Sequence, residues 1–332
     1  MNEVLDSSYE IMKTALITGV RGQDGSFLAE HLLTKGYRVV GTSHVLAGAH
    51  QIFPCRQFIE VVRLNLEVTE EVGALVATLQ ASEIYNLAAR SSSAQLFDDA
   101  LSTAEINGLA ATRFLEAIRQ VSPHTRFCQA SSSEIFAGTD SSPQDENTPF
   151  QPINAYGAAK TYAANIVTAY RSRFGLHAST AILFNHESPL RGLDYVTRKI
   201  TNTAAKIALR QAQELVLGNL ESRRDWGFAG DYSHAMWLML QQPQANDYVI
   251  ATGVTHSVRD FCAIAFEHLG LDYRHFVRTD PYWERRPESV DLRGDASRAR
   301  SQLGWQPTTD FSSLVKMMVD ADMVQLKSTE SS

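Results

Sequence analysis

Two short stretches in the first half of the chain carry side chains suited to proton transfer. NAYGAAKTYAANIVTAY places Tyr156 and Lys160 four residues apart. At that spacing both side chains lie on one face of a helix, where an ammonium can lower the pKa of a phenol. A phenol tuned in this way can take a proton from a hydroxyl group that is being oxidised. We therefore interpret Tyr156 as a base and Lys160 as the cation that tunes it.

The second stretch, FCQASSSEIFAG, ends an apolar run with three serines and a carboxylate. We expect Ser132 to hydrogen-bond the same oxygen as Tyr156, because the carboxyl ends of strands in parallel sheets face the bound ligand. Ser131 and Ser133 are interpreted as small residues that leave room for that ligand. Glu134 is predicted to be an acid/base group, since a carboxylate at such a strand end needs a partner or a use.

A glycine-rich turn comes first along the chain. TALITGVRGQDGSFLAEHLL sets Gly19, Gly22 and Gly25 between a strand and a helix. Residues without Cβ let the backbone approach a pyrophosphate, and the helix N-terminus supplies oriented N–H groups. The turn therefore predicts a dinucleotide site. The second strand ends in Thr42–Ser43–His44, which provides neither an aspartate for NAD nor an arginine for NADP, so both cofactors stay open at this point.

Apolar, β-rich runs alternate with helical patterns over residues 13–183 and should position these groups. The runs are TALIT, RVVGT, FIEVVRL, EIYNLA, TRFCQAS and ASTAILF. This alternation predicts an α/β fold, a Rossmann-type doubly wound parallel sheet. We place the cofactor-binding domain at 11–185, with 229–253 returning to it. A smaller α/β substrate-binding domain is expected over 186–228 and 254–327.

Composition narrows the class of protein further. The chain has 332 residues, 44% of them hydrophobic, and a net charge of −7. No basic stripe favours nucleic acid, and no apolar run is long enough to cross a membrane. The three cysteines, Cys55, Cys128 and Cys262, are far apart and lack metal-ligand spacing, so we expect reduced thiols, no metal site and a cytoplasmic location.

The motifs together resemble a known family. GxxGxxG, SSSE and YxxxK are similar to those of the extended short-chain dehydrogenases/reductases, and ILFNHESPLRG, VTRKI, RRDWGFAGDY and YVIATG resemble the GDP-mannose 4,6-dehydratases among them. The likeness runs from Lys13 to Met323. It implies bound NADP, a GDP-sugar substrate, and a reaction that oxidises C4, eliminates water across C5 and C6, and reduces C6. The glutamate of this family that works at C5 and C6 corresponds to Glu134.

The resemblance also implies binding residues beyond the catalytic set of Ser132, Glu134, Tyr156 and Lys160. Cofactor contacts are implied for Gly19, Gly22, Gln23, Asp24, Gly25, Asn65, Leu66, Leu87, Ala88, Tyr156, Lys160, His186 and Arg191. Substrate contacts are implied for Asn185, Lys199, Leu217, Gly218, Asn219, Arg224, Arg285 and Glu288. Three features depart from the family pattern, namely SHVLAGAHQIF in place of its arginine-serine loop, Asn65 in place of an aspartate, and Arg90 in place of a glutamine.

Alternatives on the same fold are a 4-reductase or epimerase, a dehydratase for another GDP-sugar such as a heptose, and a non-catalytic nucleotide-binding relative. Glu134 separates the first of these from a dehydratase, because reaction at C4 alone needs no acid/base at C5 and C6. The resemblance implies a homodimer formed by helices around 155–173 and 101–120. A tetramer is the further possibility, since the loop that joins dimers in the family is altered here.

Overall fold

The structure is a computed structural model that describes residues 12–44, 56–91, 99–280, 282 and 291–330. The strands in this part of the chain are β1 (Thr14–Thr18), β2 (Arg38–Ser43), β3 (Glu60–Arg63), β4 (Glu83–Asn86), β5 (Arg126–Ala130), β6 (Ala178–Leu183), β7 (His186–Glu187), β8 (Leu215–Leu217), β9 (Arg223–Asp225), β10 (Gly227–Phe228), β11 (Tyr248–Ile250), β12 (Thr255–Ser257) and β13 (Val277–Thr279). The α-helices are α1 (Gln23–Thr34), α2 (Thr69–Leu79), α3 (Ala100–Ala104), α4 (Ala110–Val121), α5 (Ala155–Phe174), α6 (Val196–Ala208), α7 (Ala229–Gln241), α8 (Val258–His268) and α9 (Phe311–Glu330).

Seven of these strands form one parallel sheet in the order β11-β6-β5-β4-β1-β2-β3. The predicted doubly wound parallel sheet is therefore confirmed. The order reverses at β1, which lies between β2 and β4, and in such sheets ligands bind in the crevice at the carboxyl ends beside the reversal. The turn after β1 and the polar segment after β5 both lie at that edge. The strand at 248–250 joins the same sheet by pairing with β6.

Helices cover both faces of the sheet, which explains why its strands are apolar throughout. Side chains alternate between the faces along β1: Ala15 and Ile17 belong to the core under α1 and α7, whereas Leu16 belongs to the core under α2, α4 and α5. α3 and α4 are joined by a π-helical segment, Glu105–Leu109. Neither face of the sheet is left open to solvent at its centre.

A second core lies between α6, α8 and α9. Phe261, Phe266, Leu217 and Val315 are among its buried members. Its short strands pair as β8 with β13, β9 with β12 and β7 with β10. The buried carboxylate of Asp322 on α9 accepts hydrogen bonds from Arg198, Thr201 and Asn202 of α6, which holds these two helices together.

Two further structural features bear on the class of protein. No helix in the described ranges is long and apolar enough to cross a membrane. Cys128 and Cys262 are free thiols, and both are buried. Burial raises the pKa of Cys262 to about 12, so this thiol is protonated and has a structural role.

Candidate active site

The glycine turn after β1 brings three backbone segments closer together than side chains would allow. Gly19 has a φ of +67°, and a Cβ there would lie 2.9 Å from the Cα of Ala88. A Cβ on Gly25 would lie 2.5 Å from the carbonyl oxygen of Gly19. Gly22 precedes α1, and no side chain caps the N-terminus of this helix. The turn therefore offers a Cβ-free cradle and uncapped first-turn amides, which fits a dinucleotide pyrophosphate.

The start of α1 is joined to the segment after β6 by a half-buried pair, Asp24 and His186. His186 Nε2 lies 3.0 Å from a carboxylate oxygen of Asp24, and His186 Nδ1 lies 2.7 Å from the carbonyl oxygen of Phe184. Both ring nitrogens face acceptors, an arrangement that favours the doubly protonated imidazolium. Gln23 strengthens the link by donating to the His186 carbonyl and accepting from the Ser188 hydroxyl.

The pKa values of this pair follow from their contact. Burial opposes ionisation of Asp24, but the charge and hydrogen bond of His186, with the charge of Arg191, lower the Asp24 pKa to about 2. Burial alone would lower the pKa of His186, and Asp24 reverses this and raises it. Each group therefore stabilises the charged form of the other. The pair places fixed charges beside the glycine cradle.

A chain of buried hydrogen bonds crosses three strand ends and reaches Lys160. Thr18 donates to Asn86, Asn86 donates to Gln129, and Gln129 donates to the carbonyl oxygen of Ala130. Lys160 Nζ donates to that same carbonyl oxygen at 2.8 Å. The lysine is only 2% exposed, and burial lowers its pKa to about 8, with the charge of Asp24 opposing the shift. Its amine is therefore held in one position at the carboxyl edge of the sheet.

Tyr156 lies next to this lysine, one helical turn earlier on α5. The Nζ of Lys160 is 5.7 Å from the centre of the Tyr156 ring. Burial raises the pKa of the phenol, while a hydrogen bond with Ser132 and the charge of Arg191 oppose the rise. The expectation that Lys160 makes this pKa lower than usual is wrong for the chain alone, because desolvation dominates. The arrangement of Tyr156, Lys160 and Ser132 around one point is nevertheless the one that the sequence predicts.

Glu134 lies in the one-turn 3-10 helix Ser133–Phe136, directly after β5. Ser132 is the N-cap of this turn and accepts from the Glu134 backbone N–H at 3.3 Å. Asn154 Nδ2 donates to Glu134 Oε2 at 2.8 Å. The negative charge of Glu134 raises the pKa of Tyr156. The carboxylate and the phenol therefore act on the same small volume.

A second phenol, Tyr195, closes another side of this volume. Its hydroxyl donates to the carbonyl oxygen of Ser91 at 2.6 Å and contacts the Ser91 hydroxyl at 2.9 Å. The guanidinium of Arg191 lies 3.6 Å above its ring, a cation–π contact. Glu187 in turn forms an ion pair with Arg191 at 3.1 Å. Both Arg191 and Tyr195 influence the pKa of Tyr156.

The other predicted cofactor residues follow β3 and β4. The backbone N–H groups of Leu87 and Ala88 both donate to the Thr18 hydroxyl at 3.0 Å. Asn65 accepts from the Glu67 N–H through its side chain, and Leu66 is buried. These residues lie at the carboxyl edge of the sheet, where β3 and β4 end.

The predicted substrate residues lie in the C-terminal half of the described chain. Asn185 directly precedes His186 and accepts from the Gly227 N–H through its carbonyl oxygen. Lys199 is half-buried on α6, and Arg224 is half-buried on β9. Leu217, Gly218 and Asn219 form the end of β8 and the turn after it, where Asn219 accepts from the Glu221 N–H. Arg285 and Glu288 lie outside the described residues.

Sequence reasoning missed Asn154, Ser91 and Tyr195 as members of the site. Asn154 carried a usable signal, because asparagine is a preferred N-cap and it directly precedes α5. No local signal marks Ser91 or Tyr195, since they meet across 104 residues of chain.

Comparison with known proteins identifies close sequence relatives. A family model described as GDP-mannose 4,6 dehydratase matches residues 16–318. GDP-mannose 4,6 dehydratase 2 of Arabidopsis thaliana is 42% identical over 333 residues, which cover 95% of this chain and 88% of the relative. GDP-mannose 4,6-dehydratase of Sinorhizobium fredii is 44% identical over 347 residues, covering 96% of this chain and 98% of the relative.

Solved structures share the fold at much lower identity. UDP-glucose 4-epimerase of Thermotoga maritima superposes with a TM-score of 0.83 at 20% identity, covering 94% of this chain and 99% of that one. dTDP-glucose 4,6-dehydratase of Bacillus anthracis, solved with NAD, gives a TM-score of 0.81 at 18% identity, covering 95% and 98%. RMD of Pseudomonas aeruginosa, solved with NADPH, gives 0.79 at 20% identity, covering 95% and 100%. These likenesses show the fold.

Proposed function

This chain belongs to the GDP-mannose 4,6-dehydratase family, and from that premise we propose that it is a hydro-lyase that converts GDP-D-mannose into GDP-4-dehydro-6-deoxy-D-mannose. The observation that carries the proposal is the assembly of Ser132, Tyr156, Lys160 and Glu134 at one strand edge. The first three suit oxidation of a hydroxyl. The fourth adds the acid/base that elimination requires.

Tyr156 is the proposed base at the C4 hydroxyl. Ser132 shares a hydrogen bond with the Tyr156 oxygen and can bond the same substrate oxygen. Lys160 is anchored on the Ala130 carbonyl oxygen with its Nζ 5.7 Å from the centre of the Tyr156 ring. There it would stabilise the negative charge that develops on the phenol during proton transfer, although burial keeps the resting pKa of Tyr156 high. A nicotinamide cofactor held in the glycine cradle supplies the oxidant for C4 and the reductant for C6.

Glu134 is the proposed acid/base at C5 and C6. Once C4 is a ketone, the C5 proton is acidic and a carboxylate can remove it. The electrons of the C5–H bond form a C5–C6 double bond, and the C6–O bond breaks. The protonated Glu134 gives its proton to the departing oxygen, which leaves as water. A serine at this position could not shuttle a proton near neutral pH.

The binding roles remain part of the proposal. The cofactor would be held by the cradle, by Asp24, His186 and Arg191, and by the strand-edge residues Asn65, Leu66, Leu87 and Ala88. We propose NADP as the cofactor, as the family resemblance implies. NAD is the alternative, because proteins of this fold have been solved with either nucleotide. Mass analysis of the nucleotide released from denatured protein distinguishes the two.

The GDP portion would be held by the C-terminal part of the chain. We assign Asn185 and Arg285 to the diphosphate, Lys199 and Arg224 to the GDP portion near Leu217, Gly218 and Asn219, and Glu288 to a ribose hydroxyl. Guanidinium groups suit a diphosphate because they bind its oxygens in pairs. We also propose the domain division 11–185 with 229–253, and 186–228 with 254–327.

A homodimer through α5 and the helices at 100–121 is the proposed assembly. The exposed fractions of Leu101 and Tyr162 on these helices are 83% and 40%. Apolar side chains exposed on neighbouring helices favour burial against a second copy. Light scattering of the purified protein would report the mass of the particle.

The direct test is incubation of the purified protein with GDP-mannose and no added reductant. We expect a 4-keto-6-deoxy product, because the cofactor is regenerated in each turnover. A C4 epimer or a 4-reduced sugar as product would instead support the epimerase or the 4-reductase. Turnover of a GDP-heptose but not of GDP-mannose would show that the dehydratase acts on a different GDP-sugar. Lack of any product in the presence of bound cofactor would contradict the proposal.

A further inference from the structure

Asn154 has two different partners at the entrance to α5. Its Oδ1 accepts a hydrogen bond from the Gly157 N–H at 2.7 Å, which caps the helix. Its Nδ2 donates to Oε2 of Glu134 at 2.8 Å. The first contact belongs to folding, but the second reaches a proposed catalytic carboxylate. One side chain thus connects the start of the helix that carries Tyr156 to the acid/base group.

Hydrogen bonds and a close backbone approach join the two chain segments around this contact. Gln151 N–H donates to the carbonyl oxygen of Ile135 at 2.7 Å, and Gly138 N–H donates to the carbonyl oxygen of Gln151 at 2.8 Å. A Cβ on Gly157 would lie 2.7 Å from the carbonyl oxygen of Glu134. The turn that carries Glu134 and the start of α5 are therefore in direct contact and cannot shift independently.

The contact is also electrically neutral, which matters for proton transfer. Among the described residues, Asn154 is the side chain that donates to the Glu134 carboxylate. The titratable group on which the charge of Glu134 acts is Tyr156 on α5, and Lys160, Arg191 and Tyr195 lie around that phenol in turn. An arginine or lysine in place of Asn154 would strongly favour the ionised carboxylate. An amide fixes the orientation of the carboxylate while leaving it able to take and give a proton.

We infer that Asn154 is a positioning residue for the elimination step, and this inference rests on the proposed function. With Oε2 held by the amide, Oε1 is the oxygen that takes the C5 proton. The resulting carboxylic acid then donates this proton to the C6 oxygen, and the C–H electron pair becomes the C5–C6 double bond as water leaves. The C4 oxidation by Tyr156 does not use the amide.

Two variants separate the cap from the contact with Glu134. Asn154→Ser and Asn154→Asp both keep an N-cap oxygen, so the helix start is preserved. The serine variant loses the amide donor, and the aspartate variant sets a second carboxylate against Glu134. The matched control is Asn147→Asp, because Asn147 also donates to a carboxylate, that of Asp145 at 3.1 Å, but on an exposed loop.

The measurement compares GDP-mannose deuterated at C4 with GDP-mannose deuterated at C5. For both Asn154 variants we expect kcat to fall by about 10²-fold, the loss typical of a misplaced catalytic group. The isotope effect at C5 should grow and the one at C4 should shrink, since elimination becomes rate-limiting. In Asn154→Asp the acidic limb of the pH–rate profile should move to higher pH, because two adjacent carboxylates share a proton.

Several results would overturn the inference. One is a wild-type rate and wild-type isotope effects in both variants. Another is a loss of rate with the ratio of the two isotope effects unchanged, which would mean general damage to the site. The Asn147→Asp control is expected to match the wild type in every measurement. The wild-type rate tests the proposed function and the variant-to-wild-type ratio tests Asn154, so the two failures are distinguishable.

Discussion

Two glutamates at opposite edges of the central sheet have opposite surroundings. Glu83 begins β4 at the amino edge, is 1% exposed, and accepts from the hydroxyls of Tyr37 and Tyr85 at 2.9 and 2.7 Å. It also accepts from Gln241 at 3.2 Å and forms an ion pair with Lys13. Glu134 follows β5 at the carboxyl edge, is half-buried, and within the described ranges accepts from one side chain, the amide of Asn154.

The different surroundings of these two carboxylates suit two different roles. A buried carboxylate whose two oxygens both accept from protein donors is committed to those neighbours, so it stabilises the fold. A carboxylate with one neutral donor keeps an oxygen for a substrate. The same side chain thus stabilises the fold at one edge of the sheet and is available for chemistry at the other.

Replacing Glu134 should have the largest effect on activity. In Glu134→Gln we expect formation of the 4-keto-6-deoxy product to fall by about 10³-fold, because proton transfer at C5 and C6 is lost. Reduced nicotinamide should accumulate on mixing with GDP-mannose, since Tyr156 still supports C4 oxidation. Stopped-flow absorbance and product analysis measure the two steps. A dehydration rate within tenfold of the wild type would contradict the assigned role.

Replacing Glu83 should have a large effect on stability and little on rate. In Glu83→Ala the buried hydroxyls of Tyr37 and Tyr85 lose their acceptor, and we expect the free energy of unfolding to fall by about 3 kcal/mol. Urea titration measures this loss. The control is Glu60→Ala on β3, whose ion pair with Arg38 is exposed and should be worth less than about 1 kcal/mol. A fall in kcat with unchanged stability would break the comparison between the two edges.

Asp24 extends the comparison, because it lies at the active-site edge yet both of its carboxylate oxygens have a partner, Gln23 and His186. The pKa of Asp24 is lowered to about 2, so its contribution to stability is complete above pH 3.8 and is lost as pH falls towards 2. The pKa of His186 is raised, so its contribution is complete below pH 6.5 and is lost as pH rises through the raised value.

The pair should therefore contribute most between pH 3.8 and pH 6.5, by about 2 kcal/mol, because lowering an aspartate pKa from 3.8 to about 2 corresponds to that free energy. Thermal unfolding of the wild type and of Asp24→Asn across the pH range measures this. We expect the gap between their Tm values to be widest inside that window and to narrow on both sides. A gap that is constant with pH would show that the two charges do not stabilise each other.

Much of the fold follows from local sequence patterns. Five of the six predicted apolar runs contain whole strands, β1 and β3 to β6, the sixth covers all but the last residue of β2, and the strand at 248–250 is in the sheet. The positions of Tyr156 and Lys160 on one helix face also follow from spacing alone. The substrate assignments of Arg285 and Glu288 stay predictions, because both residues fall outside the described ranges. The sign of the Tyr156 pKa shift was wrong, since desolvation by the whole surrounding structure cannot be counted from two neighbours on a helix.

The sequence by itself determined the elements, the glycine cradle and the types of catalytic side chain. These depend on helix and strand periods and on the absence of Cβ, which act over a few residues. Only the tertiary structure decided which polar groups meet. Asn154 reaches Glu134 across 20 residues, and His186 reaches Asp24 across 162. Whether both oxygens of a carboxylate are occupied by protein donors depends on how many donors the tertiary packing brings to it. No local sequence pattern encodes the number of these donors.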